Sequence, residues 1–126
     1  MHTRIATQYE FCSAHYLPHV PDTHKCKRLH GHNYVLQVIC EGETRPDGML
    51  IDFFEIDEIV KPWVEKVDHR CLNEIEGLEN PTAEHIADWF LHKVCNKIPH
   101  LVTCRVFETP TCFAEVAESP PFVTET

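Results

Sequence analysis

Residues 32–43 read HNYVLQVICEGE, and their alternation decides the fold. Tyr34, Leu36, Val38 and Cys40 fall on one face of a strand, and Asn33, Val35, Gln37 and Ile39 on the other. Upstream, Thr3 to Ser13 reads as another strand, with Ile5, Tyr9 and Phe11 on one parity. Residues 16–29, with Pro18, Pro21 and Asp22, read as a loop. Downstream, Arg45-Pro46-Asp47-Gly48 is a turn. Asp52 is then the expected N-cap of a helix, with Glu55 placed as in a capping box. Ile56, Ile59, Val60, Trp63, Val64 and Val67 form its apolar stripe, and Pro62 predicts a kink or break near Val60–Lys61. Thr82, after Asn80-Pro81, caps a second helix that buries Ile86, Phe90 and Val94, flanked by Ala87 and Trp89, and Pro99 stops it. Leu101 to Thr109 reads as a strand, Phe113 to Ala117 as a weaker one, and the tail from Glu118 as irregular.

The order β-β-α-α-β-β predicts an α+β fold, an antiparallel sheet covered on one face by two helices. The other face, with Val35 and Ile39, is left partly open, which predicts an oligomer. The 126 residues suit a single domain, residues 1–126. No apolar run approaches the roughly 18 residues of a membrane span, and Met1-His2-Thr3-Arg4 opens no signal-peptide core. A formal charge of −9 argues against a nucleic-acid partner, although a local basic pocket can still take an anionic small molecule. The 7 cysteines contain no C-x-x-C pair and form no disulfide framework, so reduced thiols and a cytoplasmic location are expected. Cys12, Cys40, Cys95 and Cys104 fall on expected core positions, as do Trp63, Trp89 and Phe90.

Ten histidines in an acidic chain raise the question of a metal. His30-Gly31-His32 puts two imidazoles on one side of a strand. His15, at the end of the first strand, would join them if the first two strands pair, and His19 and His24 are competitors in the same loop. Three imidazoles suit zinc (Zn2+) and leave a fourth position open, the catalytic pattern. Cys26 is either a fourth ligand, closing a structural site, or a free thiolate acting as general base amid Lys25, Lys27 and Arg28. Asp68-His69 is a surface pair past a helix end or a proton relay; neighbours in sequence seldom hydrogen-bond to each other, but both can enter one site. Glu108 continues the apolar row Val102, Cys104, Val106, so its carboxylate needs either a protein cation or the paired N–H donors of a flat heterocycle.

Taken in order, Phe11-Cys12-Ser13-Ala14-His15, Cys26-Lys27-Arg28-Leu29-His30-Gly31-His32, Leu50-Ile51-Asp52-Phe53, Asp68-His69, Leu72-Asn73, Glu79-Asn80-Pro81-Thr82 and Glu108-Thr109 resemble the 6-pyruvoyltetrahydropterin synthase / 6-carboxytetrahydropterin synthase family, from about residue 3 to residue 117. The spacing of Cys26 from His30-Gly31-His32 resembles the carboxy branch, which serves queuosine and 7-deazapurine synthesis. The resemblance implies a tunnelling fold, sheets joined into a barrel, commonly a hexamer of two trimers, and active sites at subunit interfaces. It implies that His15, His30 and His32 bind zinc, that Cys26 accepts a proton rather than ligating, that Asp68 and His69 relay protons, and that Glu108 holds the pterin ring and takes part in the catalytic proton network. The implied substrate is 7,8-dihydroneopterin triphosphate; the implied products are 6-carboxy-5,6,7,8-tetrahydropterin, acetaldehyde and triphosphate. Lys25, Lys27 and Arg28 are expected either to contact phosphate or to be simply solvated.

Overall fold

Two long strands carry the molecule. In the computed structural model, which describes residues 1–118, β1 (His2–His15) pairs antiparallel with β2 (His30–Glu43), from His2 opposite Glu43 to His15 opposite His30. β2 then pairs with β3 (Leu101–Thr109), and β3 with β4 (Cys112–Ala117), giving one sheet in the order β1-β2-β3-β4. The helices α1 (Phe53–Val67) and α2 (Ala83–Val94) lie between β2 and β3 in sequence and cover one sheet face. No helix among the described residues is long and apolar enough to cross a membrane. The expected irregular tail begins at Glu118, which has no regular structure; its remainder lies outside the described residues.

The alternation in the sequence builds this layer. Tyr34, Leu36, Val38 and Cys40 are all 0% exposed, while Val35 and Ile39 on the opposite face are half-buried. Ile56, Val60, Val64 and Val67 of α1 and Ile86, Phe90, Leu91 and Val94 of α2 meet the buried row. Each such side chain contributes about 1.5–3 kcal/mol on leaving water. Polar ties fix α1 against β1: the Tyr9 hydroxyl donates to Asp57 Oδ1 at 2.7 Å, and Ser13 Oγ to the Val67 carbonyl at 2.5 Å. Both caps form as the sequence predicts, Asp52 accepting from the Phe54 N–H and Thr82 from the His85 N–H.

Four expectations need correction. Pro62 does not break α1, which runs through it; Pro62 and Glu58 lie on the exposed side, where water can take the carbonyl that proline leaves without an N–H partner. Cys12 is exposed, because its parity on β1 is opposite to that of Phe11 and Ser13. Cys95 is only partly buried, at the end of α2. Trp63 packs at the rim of the core, edge-on to Trp89 at 5.8 Å, with Lys93 over its ring. Strand β2 also starts at His30 rather than His32, and the loop 16–29 contains a short 3-10 turn, Lys25–Lys27.

Candidate active site

The β1–β2 register brings His15 opposite His30, and the same-face spacing of β2 adds His32. One nitrogen from each of these three rings falls within 4.8 Å of the others, forming a ready ligand set. His15 is 1% exposed. Its Nδ1 lies 2.8 Å from the Pro81 carbonyl, just before α2, and His30 Nδ1 lies 2.6 Å from the Arg28 carbonyl. A carbonyl only accepts, so both Nδ1 atoms carry the hydrogen and both Nε2 atoms present lone pairs. Those two Nε2 atoms stand 3.1 Å apart. Facing lone pairs repel at that distance unless a cation lies between them. Tetrahedral zinc with bonds of about 2.0–2.1 Å holds its ligand nitrogens roughly 3.3 Å apart, so the residues fit the ion. Burial pushes the pKa of His15 below the ordinary imidazole value, against the Pro81 hydrogen bond, and burial does the same to His32. Both shifts favour the neutral ring, the form that ligates.

Glu108, at the end of β3, does continue the apolar row. Val35 opposite Phe107 sets it level with Tyr34, and its Oε1 lies 3.9 Å from His15 Nε2. Of the two partners that the sequence leaves open for it, a lysine or arginine is not found among the described residues. Tyr34, fully buried and flanked by His15 and His32, has a hydroxyl without a hydrogen-bond partner. Burial, aided by the charge of Glu108, pushes its pKa up. Sequence reading treated Tyr34 as core only; its position two residues beyond His32 on the same face was the available signal.

Cys26 sits in the Lys25–Lys27 turn, partly buried, and its sulfur does not belong to the three-histidine set. His24 is not in the set either: its Nδ1 accepts from the Cys26 N–H at 3.0 Å. His19 is likewise outside it. Lys27 turns away from a role at the thiol, donating to the Pro18 and Val20 carbonyls and pairing with Asp22 at 3.1 Å.

Asp68 and His69 come into ion-pair contact, with His69 Nδ1 3.0 Å from Asp68 Oδ1, though not in hydrogen-bond geometry. The reason is backbone geometry. Asp68 ends α1, and His69 takes φ 57, the left-handed region that non-glycine residues seldom enter. This bend lets the Cys12 N–H donate to Asp68 Oδ1 at 2.9 Å while the His69 N–H donates to the Cys12 carbonyl at 2.6 Å. The pair is thus clamped to the outer edge of β1. The Cys12 N–H, with His69 second, holds the Asp68 carboxyl below its usual pKa. His69 is 80% exposed and borders a hollow of about 480 Å³ together with Cys12, His32, Asn33 and Arg70. His32 thus borders this hollow and also belongs to the three-histidine set, on the face opposite Cys12 and Asn33.

Comparison with known proteins agrees with this architecture. The sequence profile of the family described as 6-pyruvoyl tetrahydropterin synthase matches residues 4–119. A 6-carboxy-5,6,7,8-tetrahydropterin synthase from Synechocystis sp. is 36% identical over 117 residues, covering 87% of this chain and 89% of its own. A dihydroneopterin monophosphate aldolase from Pyrococcus furiosus is 34% identical over 99 residues, covering 79% and 81%. The structure of Caenorhabditis elegans 6-pyruvoyl tetrahydropterin synthase superposes with a TM-score of 0.82 at 26% identity, over 94% of this chain and 97% of the other. With its antiparallel sheet backed by two helices in the tunnelling-fold arrangement, the chain belongs to the 6-pyruvoyl tetrahydropterin synthase family and is a lyase of that family.

Proposed function

We propose that the chain is a zinc-dependent carbon–carbon lyase that converts 7,8-dihydroneopterin triphosphate and one water into 6-carboxy-5,6,7,8-tetrahydropterin, acetaldehyde and triphosphate, a step toward queuosine and other 7-deazapurines in the cytoplasm. The observation that carries the reading is the convergence of His15, His30 and His32, with Cys26 outside the ligand set. Bound by the three imidazoles, zinc supplies Lewis acidity toward the hydroxyls of the substrate side chain. Cys26 accepts a proton from that side chain. Asp68 stands beside His69 Nδ1, and His69 Nε2 returns a proton elsewhere. Glu108 accepts the paired N–H donors of the pterin ring, a role supported by its lack of a protein cation. The half-buried face around Val35 and Ile39 supports assembly into a homo-oligomer, in the family's manner a hexamer, with the exposed His69 near an interface.

The Cys26→Ala variant tests this reading. It is expected to keep its zinc and to release acetaldehyde about 10²–10⁴-fold more slowly, the usual weight of a general base. Loss of the metal along with the thiol would favour a non-catalytic, zinc-stabilised pterin-binding protein instead. Mass spectrometry of the wild-type product separates the neighbouring activities. A pyruvoyl product without acetaldehyde would make the chain a 6-pyruvoyltetrahydropterin synthase. The name of the Pyrococcus furiosus relative favours one further reading, aldol cleavage of a monophosphate ester, and preference for that substrate over the triphosphate would establish it.

A further inference from the structure

The chain carries 11 lysines and arginines against 20 carboxylates, so a cation without a partner is the exception. Arg4, Lys27, Arg45, Lys61 and Arg105 each hold a carboxylate. Lys66, Lys93 and Lys97 lie over tryptophan rings. Among the described residues this leaves Lys25, Arg28 and Arg70. Lys25 and Arg28 stand beside Cys26 on the loop, whereas Arg70 opens into the hollow between His32 and His69. That hollow has no aspartate or glutamate in its lining, although the chain is strongly acidic. The nearest carboxylate, Asp68, is already engaged by the Cys12 N–H and His69. The backbone of Arg70 is fixed, its carbonyl accepting from the Ala14 N–H at 2.9 Å and Cys71 bridging to Ala14, while its side chain is exposed. A guanidinium on a fixed backbone, without a protein carboxylate and bordering a carboxylate-free hollow beside His69, is an arrangement that attracts a phosphate.

We propose that Arg70 receives the phosphate-ester tail of the substrate, closing an anion site that spans the hollow from His32 to His69. The identity of the tail rests on the pterin-lyase reading; the anion site does not. The tail then anchors the substrate with its side chain between the metal set and the relay pair, so that Arg70 acts on binding rather than on the proton transfers.

Calorimetric titration of the zinc-loaded protein with inorganic triphosphate, and separately with inorganic phosphate, reads the site without turnover. Arg70→Gln is expected to weaken triphosphate binding about 10- to 100-fold, the weight of one charge-assisted contact, with zinc content unchanged. Arg70→Lys, which keeps the charge but not the fork, is expected to fall between the two. Arg45→Gln removes an equal charge beyond the far end of β2 and is expected to bind like wild type, which separates a local contact from the overall field. Turnover adds the split: KM for the phosphorylated substrate rises in Arg70→Gln while kcat stays within about threefold of wild type. Unaltered triphosphate binding in both Arg70 variants, or a loss found in Arg28→Gln instead, would overturn the proposal. If wild type binds triphosphate through Arg70 but turns over no pterin, the lyase reading fails and the anion site stands. Tighter binding of phosphate than of triphosphate to wild type would restrict the site to a monoester and remove the triphosphate tail from the proposal.

Discussion

The β1–β2 ladder has histidine at both ends, and the two ends behave oppositely. At the open end His2 places Nε2 2.7 Å from Glu41 and Nδ1 3.0 Å from Glu43, in full solvent, and these hydrogen bonds raise its pKa. At the closed end His15 is 1% exposed, rests on a peptide carbonyl, and burial lowers its pKa. The same side chain is biased toward the charged form in one place and toward the neutral form in the other. What differs is the partner: a carboxylate stabilises the charged ring, while a carbonyl at Nδ1 fixes the tautomer and leaves Nε2 free. The ladder itself is continuous, so a strand pairing that specifies nothing chemical at one end brings three imidazoles together at the other.

The largest expected effect comes from removing the ring at each end in turn. His15→Ala is expected to reduce bound zinc from about one per chain to a small fraction, and to abolish turnover, because two imidazoles cannot close the set. His2→Ala is expected to leave both unchanged. Elemental analysis of the purified variants, with acetaldehyde release measured alongside, checks the contrast; equal zinc in the two would erase it.

A smaller effect is expected where Asp68 and His69 are tied to Cys12, near the closed end of the same ladder. Asp68→Asn keeps an oxygen at the clamp but removes the charge shared by the Cys12 N–H and His69. Turnover should fall about 100-fold with zinc content unchanged. Because the folded carboxyl titrates below its unfolded value, its contribution to stability is complete above the unfolded value of about 4 and is lost as pH falls through the folded value. Urea midpoints measured downward from pH 5 should therefore fall less steeply in Asp68→Asn than in wild type.

Both the ladder and its closed end could be read from the sequence because they follow from short periods. Period 2 from Tyr34 to Cys40 fixed the buried face, and the same rule put His30 and His32 together and carried Glu108 along the row from Val102. The legible part ended where a contact depended on backbone bends between distant segments. The Pro81 carbonyl on His15 needs α2 docked, and the Asp68–His69 contact needs a left-handed histidine held by Cys12, fifty-six residues away in the case of Asp68. No local pattern announces either. Cys12 itself was misplaced although the parity of Phe11 was in hand, because a cysteine between apolar neighbours suggests core by composition while the pleat sends it outward. Pro62 was misjudged for a related reason: a helical proline is costly where its lost hydrogen bond is buried, and this one faces water.

The smallest effect belongs to the open end, and its sign makes it useful. His2 has a raised pKa in the folded chain, so its contribution is complete below the unfolded value near 6.5 and is lost as pH rises through the folded value. Glu41 and Glu43 are lowered, chiefly by the His2 hydrogen bonds, so their contributions are lost as pH falls through their own folded values. The triad therefore stabilises most in the window between carboxylate and imidazole titration, around pH 5–6. All three groups are solvent-exposed, and salt screens them. The difference in melting temperature between wild type and His2→Ala should peak in that window, shrink toward pH 8, and shrink again in 1 M salt. A difference that persisted at pH 8 would mean that the ring contributes by packing rather than by charge, and the two ends of the ladder would then differ less than their partners suggest.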